Sequence, residues 1–306
     1  MSTKHFISMS DFSATEISRL IQSAISLKRD GHTPLLKGKT LGMIFQKPSM
    51  RTRVSFDVAM YQLGGHSIDL QQTEVGLGTR ESSADVARVM SRYVDAIMAR
   101  VFDHSSLMDL ARYSSVPVIN GLSDVEHPCQ AMADLMTIAE LKGKIKGMVI
   151  AYIGDGNNCA ASLALGAVAL GAEIRIASPK GYWLSNESRA KITECAGKSG
   201  ATLLFTDDPR KTARGADVIY TDVWTSMGQE AEAQVRRRAF AGYQVNPSLL
   251  AMAKQDVIFM HPLPAHYGEE VSVGIMEDRR SVVFQQAENR LHAQKALLVN
   301  LLKNSK

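Results

Sequence analysis

Cysteine is scarce in this chain. The three present, Cys129, Cys159 and Cys195, have no paired spacing. That argues against a disulfide framework or a zinc site and for a reducing compartment. Long apolar runs are also missing: none approaches the roughly 18 residues of a membrane span. The start, Met1-Ser2-Thr3-Lys4-His5-Phe6, has neither an apolar signal core nor an arginine-rich presequence. The expected location is therefore the cytoplasm, with no membrane partner. No Lys/Arg block or aromatic-basic pattern occurs, which speaks against nucleic acid as a partner. No internal repeat or low-complexity segment is evident.

What is present fits an ordinary α/β protein. The 306 residues, 45% of them hydrophobic, are many for one core, so two domains are expected. The formal net charge is +4, mixed in sign along the chain. With its clustered arginines, that balance suits a small anionic substrate. Ser13-Ala14-Thr15-Glu16 is a capping box opening a first helix with Ile17, Leu20, Ile21, Ala24 and Ile25 on its apolar face. Strands are then expected at 41–46, 66–70, 95–101 and 116–119, alternating with helices at 52–63, 82–92, 104–113 and 128–141. After a Lys-Gly-rich connection, 141–147, the alternation restarts. Strands are expected at 148–153, 173–177, 201–205, 217–221 and 256–260, and helices near 159–170, 186–197, 229–240 and 247–253. This predicts two doubly wound parallel-sheet domains, 1–140 and 141–285, with a cleft between them. A last amphipathic helix covers 286–303, and periodicity alone does not say where it packs.

Five stretches carry candidate chemistry. Ser49-Met50-Arg51-Thr52-Arg53 follows the first strand, with Pro48 disfavouring helix at Lys47 and Ser49 placed to cap. Free amides at a helix start, two guanidiniums and two hydroxyls suit a phosphate. A solvated basic helix start reads the same way. This is not a P-loop, since it has no glycine pair and no Gly-Lys-Ser/Thr. His127-Pro128-Cys129-Gln130 opens a helix, and His127 and Gln130, three apart, share a face from which both can donate to a carbonyl oxygen. A lone capping histidine is the plainer reading.

Gly154-Asp155-Gly156-Asn157-Asn158 lies between a strand and a helix. It lacks the third glycine and the later acidic ribose ligand of a dinucleotide fingerprint, so asparagine amides on a small polar ligand fit better. A tight turn alone fits as well. Asp222-Val223-Trp224-Thr225-Ser226-Met227-Gly228 places a carboxylate and a hydroxyl at a strand's C-terminal end, where they suit an ammonium group or simply cap a turn. His261-Pro262-Leu263-Pro264-Ala265-His266 is a stiff loop, with a candidate cis proline, able to aim a backbone carbonyl at a ligand or merely to connect.

In this order and over the whole chain, Ser-Met-Arg-Thr-Arg, His-Pro-Cys-Gln, Gly-Asp-Gly-Asn-Asn, Asp-Val-Trp-Thr-Ser-Met-Gly and His-Pro-Leu-Pro-Ala resemble the aspartate/ornithine carbamoyltransferase family, its ornithine branch most closely. The resemblance implies a carbamoyl-phosphate domain, an ornithine domain, and a final helix, 286–306, returning to the first. It implies a homotrimer, with no metal or organic cofactor. It assigns carbamoyl phosphate to Ser49, Met50, Arg51, Thr52, Arg53, Arg100, His127 and Gln130. Ornithine falls to Asn158, Asp222, Ser226 and Met227, and catalysis to Arg100, His127, Gln130, Pro262, Leu263 and Arg290.

Two positions depart from the pattern. Pro262 stands where ornithine enzymes usually carry cysteine, and His-Pro-Leu-Pro is the form of aspartate enzymes. Gly76 stands where some relatives place a side chain that reaches a neighbouring subunit's phosphate, so that contact is left unassigned. The expected reaction is carbamoyl transfer to ornithine, giving citrulline for arginine biosynthesis. Aspartate would need cations that 224–228 does not supply. Putrescine, a modified ornithine, or a non-catalytic carbamoyl-phosphate-binding relative are the alternatives.

Overall fold

The computed structural model describes residues 3–226 and 228–303. The chain divides into two units, Met1–Met136 with Glu288–Lys306, and Thr137–Ala287.

In the first unit the strands β1 (Thr40–Phe45), β2 (His66–Gln71), β3 (Ala96–Arg100) and β4 (Val118–Leu122) form one sheet in the order β2-β1-β3-β4. Every pairing is parallel. All five positions of β3 are buried, as both faces of a covered parallel sheet require. The covering helices are α1 (Ala14–Asp30), α2 (Met50–Gln62), α3 (Gln72–Val75), α4 (Ser83–Met90), α5 (His104–Tyr113) and the start of α6 (Pro128–Lys142). The capping box of α1 forms: Glu16 N donates to Ser13 Oγ at 3.3 Å, and Ser13 N to Glu16 Oε2 at 2.9 Å. Its buried face is Ile17, Leu20, Ile21, Ala24 and Leu27, so of the expected stripe only Ile25 is not fully covered.

In the second unit β5 (Val149–Ile153), β6 (Glu173–Ala177), β7 (Leu203–Thr206), β8 (Val218–Tyr220) and β9 (Ile258–Met260) form a parallel sheet in the order β7-β6-β5-β8-β9. Helices α7 (Asn158–Ala169), α8 (Asn186–Ser199), α9 (Pro209–Ala213), α10 (Ala233–Ala239) and α11 (Pro247–Leu250) cover it. Its core includes stacked Trp224 and Phe240, centroids 5.4 Å apart.

The last helix, α12 (Val283–Leu302), returns to the first unit from Glu288 onward. Lys295 on it is fully buried and donates to Leu27 O at 3.2 Å, to Gln62 Oε1 at 3.2 Å and to Gly31 O. It thereby satisfies carbonyls at the end of α1 that lack helical partners.

Strand order reverses once in each sheet, between β1 and β3 and between β5 and β8. Such switch points open a crevice at the strands' C-terminal ends, where open α/β sheets bind ligands. All nine expected strands are present, with ends that differ by a few residues. The helices α3 and α9 were not anticipated. Residues 229–240, expected as one helix, are a 3-10 turn, Glu230–Glu232, followed by α10.

Candidate active site

In the first unit the groups gather where β1 and β3 end. Ser49 is extended, with φ −160° and ψ 106°, and its Oγ accepts from Thr52 N at 3.3 Å. It therefore caps α2 and puts Met50, Arg51, Thr52 and Arg53 in the first turn. Arg100 ends β3 at a register shift against β4, the kind of irregularity that re-aims a side chain. His127 immediately precedes α6 and is buried.

A chain of hydrogen bonds links three elements distant in sequence. Arg290 on α12 donates through NH1 to Gln130 Oε1 at 2.6 Å and through NH2 to Thr52 Oγ1 at 3.2 Å. Gln130 Nε2 donates to Asp134 Oδ1 at 2.9 Å. Thr52, Gln130, Asp134, Arg100 and Arg290 are all buried. Burial, reinforced by the charges of Arg290, Arg100 and Arg51, holds the His127 pKa well below its ordinary value. His127 is thus a neutral imidazole among three guanidiniums, able to donate one N–H without adding charge.

The structure does not gather every expected residue here. The Arg53 guanidinium is more than half exposed and pairs with Asp69 on β2 at 3.1 Å. The Met50 side chain is 71% exposed. Two residues escaped the sequence reading. Asp134, one turn after Gln130, fixes that amide, and the i, i+4 spacing was available as a signal. Lys47 lies 4.6 Å over the Phe102 ring, and burial, then the Arg100 charge, lowers its pKa.

In the second unit the groups gather where β5 and β8 end. The turn Gly154-Asp155-Gly156 packs against 182–184: Gly156 N donates to Tyr182 O at 2.8 Å, and a Cβ on Gly156 would sit 2.2 Å from Leu184 N. Glycine is required there for close packing, with no nucleotide needed to explain it. Asn157 caps α7, its Oδ1 accepting from Cys159 N and Ala160 N at 3.0 and 3.1 Å. Its Nδ2 donates to Asp222 Oδ2 at 2.7 Å, while Asp222 Oδ1 accepts from Val223 N at 2.8 Å. Asn157 is thus joined to Asp222, and its neighbour Asn158 occupies the first helical position of α7. Ser226 is half-buried, and Met227 lies outside the described residues.

A buried ion pair ties this region down. Arg236 donates to Asp155 Oδ2 at 3.1 Å and to Trp224 O at 2.9 Å. Burial raises the Asp155 pKa to about 6, against the opposing effect of Arg236. The loop after β9 is fixed as well. The Leu263–Pro264 bond is cis, and Leu263 has φ +56°. Leu263 N donates to His261 Nδ1 at 2.9 Å, so the other ring nitrogen carries the proton and donates to Glu270 Oε1 at 3.2 Å. Pro262 is buried and Leu263 half-buried. Arg236 gave no local sequence signal for its pairing, because Asp155 lies 81 residues away; Glu270 lies just past the 261–266 stretch and bonds the His261 ring and His266 N within it.

Two doubly wound units, each with a polar ligand-type site at its switch point, define a class of α/β proteins that handle small charged metabolites. Comparison with known proteins narrows that class. Residues 4–140 match the model of the aspartate/ornithine carbamoyltransferase carbamoyl-P binding domain, and residues 146–301 that of the Asp/Orn binding domain. An ornithine carbamoyltransferase of Anoxybacillus flavithermus is 54% identical over 98% of this chain and 96% of its own length. An anabolic ornithine carbamoyltransferase of Pyrococcus furiosus is 53% identical over 96% and 95%. The solved ornithine carbamoyltransferase of Pyrococcus furiosus superposes with a TM-score of 0.96 at 51% identity, covering 100% and 99% of the two chains. The chain belongs to the aspartate/ornithine carbamoyltransferase family.

Proposed function

We propose that this chain transfers the carbamoyl group of carbamoyl phosphate to the side-chain amine of L-ornithine, giving L-citrulline and phosphate. The observation that carries the reading is the neutral, buried His127 among three guanidiniums beside the α2 start. That arrangement suits a doubly charged phosphate attached to a carbonyl that becomes an oxyanion.

The amine nitrogen attacks the carbamoyl carbon, the carbon–oxygen bond to phosphate breaks, and the amine gives up a proton. Arg51 and the α2 amides hold the leaving phosphate. Arg100, His127, Thr52 and Arg290 donate to the carbamoyl oxygen as its charge grows. Gln130 Oε1, already accepting from Arg290, keeps a second lone pair for the carbamoyl NH2. Asp222, held by Asn157, and Ser226 receive the α-ammonium of ornithine. The carbonyls of Pro262 and Leu263 accept from the attacking nitrogen as it becomes positive. A free amine of this type has a pKa near ~10.4, and surrounding guanidiniums favour loss of its proton.

Pro262 supports a second reading, a relative that binds carbamoyl phosphate or serves another acceptor. The absence of any Lys or Arg at 224–228 disfavours aspartate. The name of the Pyrococcus furiosus relative supports the anabolic direction, arginine biosynthesis. A homotrimer fits the outer face of α2, where Met50, Val54 and Tyr61 are 71, 53 and 71% exposed and recur at helical spacing. A cytoplasmic setting fits three free cysteines and the lack, among the described residues, of a helix long and apolar enough to cross a membrane.

The test is a product assay with carbamoyl phosphate and ornithine, N-acetylornithine, putrescine or aspartate in turn. Ornithine should be carbamoylated at least about a hundredfold faster, since mismatched polar groups left unpaired are heavily penalised. A faster reaction with any other acceptor overturns the assignment.

A further inference from the structure

The turn after β9 brings together three side chains that the proposed reaction does not use. His266, Glu269 and Glu270 each offer one ligand atom, and these atoms lie within 4.8 Å of one another. The turn is held by backbone hydrogen bonds, within itself and to Val245. Glu269 N donates to His266 O at 2.9 Å, Gly268 N to Val271 O at 2.8 Å, and Val245 N to Glu270 O at 2.8 Å.

Glu270 is the informative member. It is fully buried, yet only one of its oxygens is served: Oε1 accepts from His266 N at 2.6 Å and from the His261 ring. Its Oε2 is buried and has no hydrogen-bond partner. A buried carboxylate oxygen without a donor or cation is costly, and such atoms in a native fold call for an explanation. Here the carboxylate stands beside an imidazole and a second carboxylate, with the His266 side open to solvent.

We infer that residues 266–270 form a site for one divalent cation of the zinc class, held by His266, Glu269 and Glu270. One imidazole nitrogen with two carboxylate oxygens suits zinc, with water completing a tetrahedron, whereas calcium and magnesium prefer oxygen ligands alone. Arg237 competes for the site, because both its Nε and NH2 lie 2.8 Å from Glu269 Oε1. The cation also acts beyond the turn. Glu270 is bonded to His261, and His261 to Leu263 N, so metal at Glu270 stiffens the loop bearing the Pro262 and Leu263 carbonyls.

The test is calorimetric titration of zinc chloride, in a non-chelating buffer, into the full chain freed of metal by EDTA and dialysis. Thermal melting is read in parallel. One zinc per chain is expected, with a rise in melting temperature. His266→Ala, an exposed substitution that leaves the buried pair intact, should weaken binding by at least about tenfold and abolish the rise. Arg237→Gln should tighten binding by releasing Glu269. No stoichiometric binding, or binding unchanged in His266→Ala, overturns the proposal.

Discussion

Asn157 and Asp222 meet at 2.7 Å across the switch point of the second sheet, with Asn157 Nδ2 donating to Asp222 Oδ2. The same asparagine caps α7 through its Oδ1, so its amide cannot turn over without losing the cap. Asp222 is therefore presented as a fixed carboxylate. Asp222→Asn should raise the ornithine KM about ten- to a hundredfold, the equivalent of a charged hydrogen bond worth roughly 1.5–3 kcal/mol. The KM for carbamoyl phosphate should stay within about twofold, since the role proposed for Asp222 concerns the acceptor alone. Steady-state kinetics with both substrates varied decide it. A defect confined to carbamoyl phosphate would place Asp222 in the wrong half of the reaction.

The two arginines of the α2 start should behave differently. Arg51 contributes to the field on His127, whereas the Arg53 guanidinium is engaged by Asp69. Arg51→Ala should cost roughly 1.5–3 kcal/mol of carbamoyl-phosphate binding. Arg53→Ala should cost under about 1 kcal/mol, the range of an exposed ion pair. Calorimetry on both variants tests this, and equal losses would mean that Arg53 leaves Asp69 to join the phosphate.

Pro262 brings no thiol and no amide hydrogen to the loop, only carbonyl acceptors. Pro262→Cys should keep turnover within about an order of magnitude but add a titrating group with a pKa near ~8.5 to its pH profile. Turnover measured between pH 6 and 10 for both proteins checks it. A variant more than a hundredfold faster than the natural chain would show that the cysteine is needed for the chemistry.

Asp155 keeps its proton to about pH 6, above the 3.8 of an ordinary aspartate, because it is buried. Between about pH 4 and 6 the folded chain thus binds a proton that the unfolded chain releases. The stability from that proton is complete below the lower value and is lost as pH rises through the upper one. Compared with Asp155→Asn, which stays neutral throughout, the natural chain should lose stability from pH 4 to 6.5 and then hold level. The shift corresponds to about 3 kcal/mol at most. Denaturant unfolding of both proteins across that range measures it, and a constant difference would contradict it.

Periodicity and turn chemistry exposed most of the framework. The capping box at Ser13 and Glu16, the Ser49 cap and all nine strands came from patterns within a dozen residues. Helices α3 and α9 escaped because they are too short to show a 3.6-residue period. The individual candidate residues were legible as motifs, but their support was not. Arg290 and Gln130 are 160 positions apart, and Arg236 and Asp155 are 81 apart. Such partners are chosen by the fold, so no local spacing announces them. Arg53 is the opposite case: its motif pointed to phosphate, and a carboxylate on β2 draws its guanidinium aside.

The most direct measurement is carbon-13 NMR of the natural chain incubated with carbonyl-labelled carbamoyl phosphate and L-ornithine. The label should move to the ureido carbon of citrulline, one phosphate should be released per citrulline, and omitting ornithine should leave only slow hydrolysis. Tight binding of carbamoyl phosphate with no labelled citrulline, at any pH between 6 and 10, would contradict the proposed transfer and make the chain a binding protein.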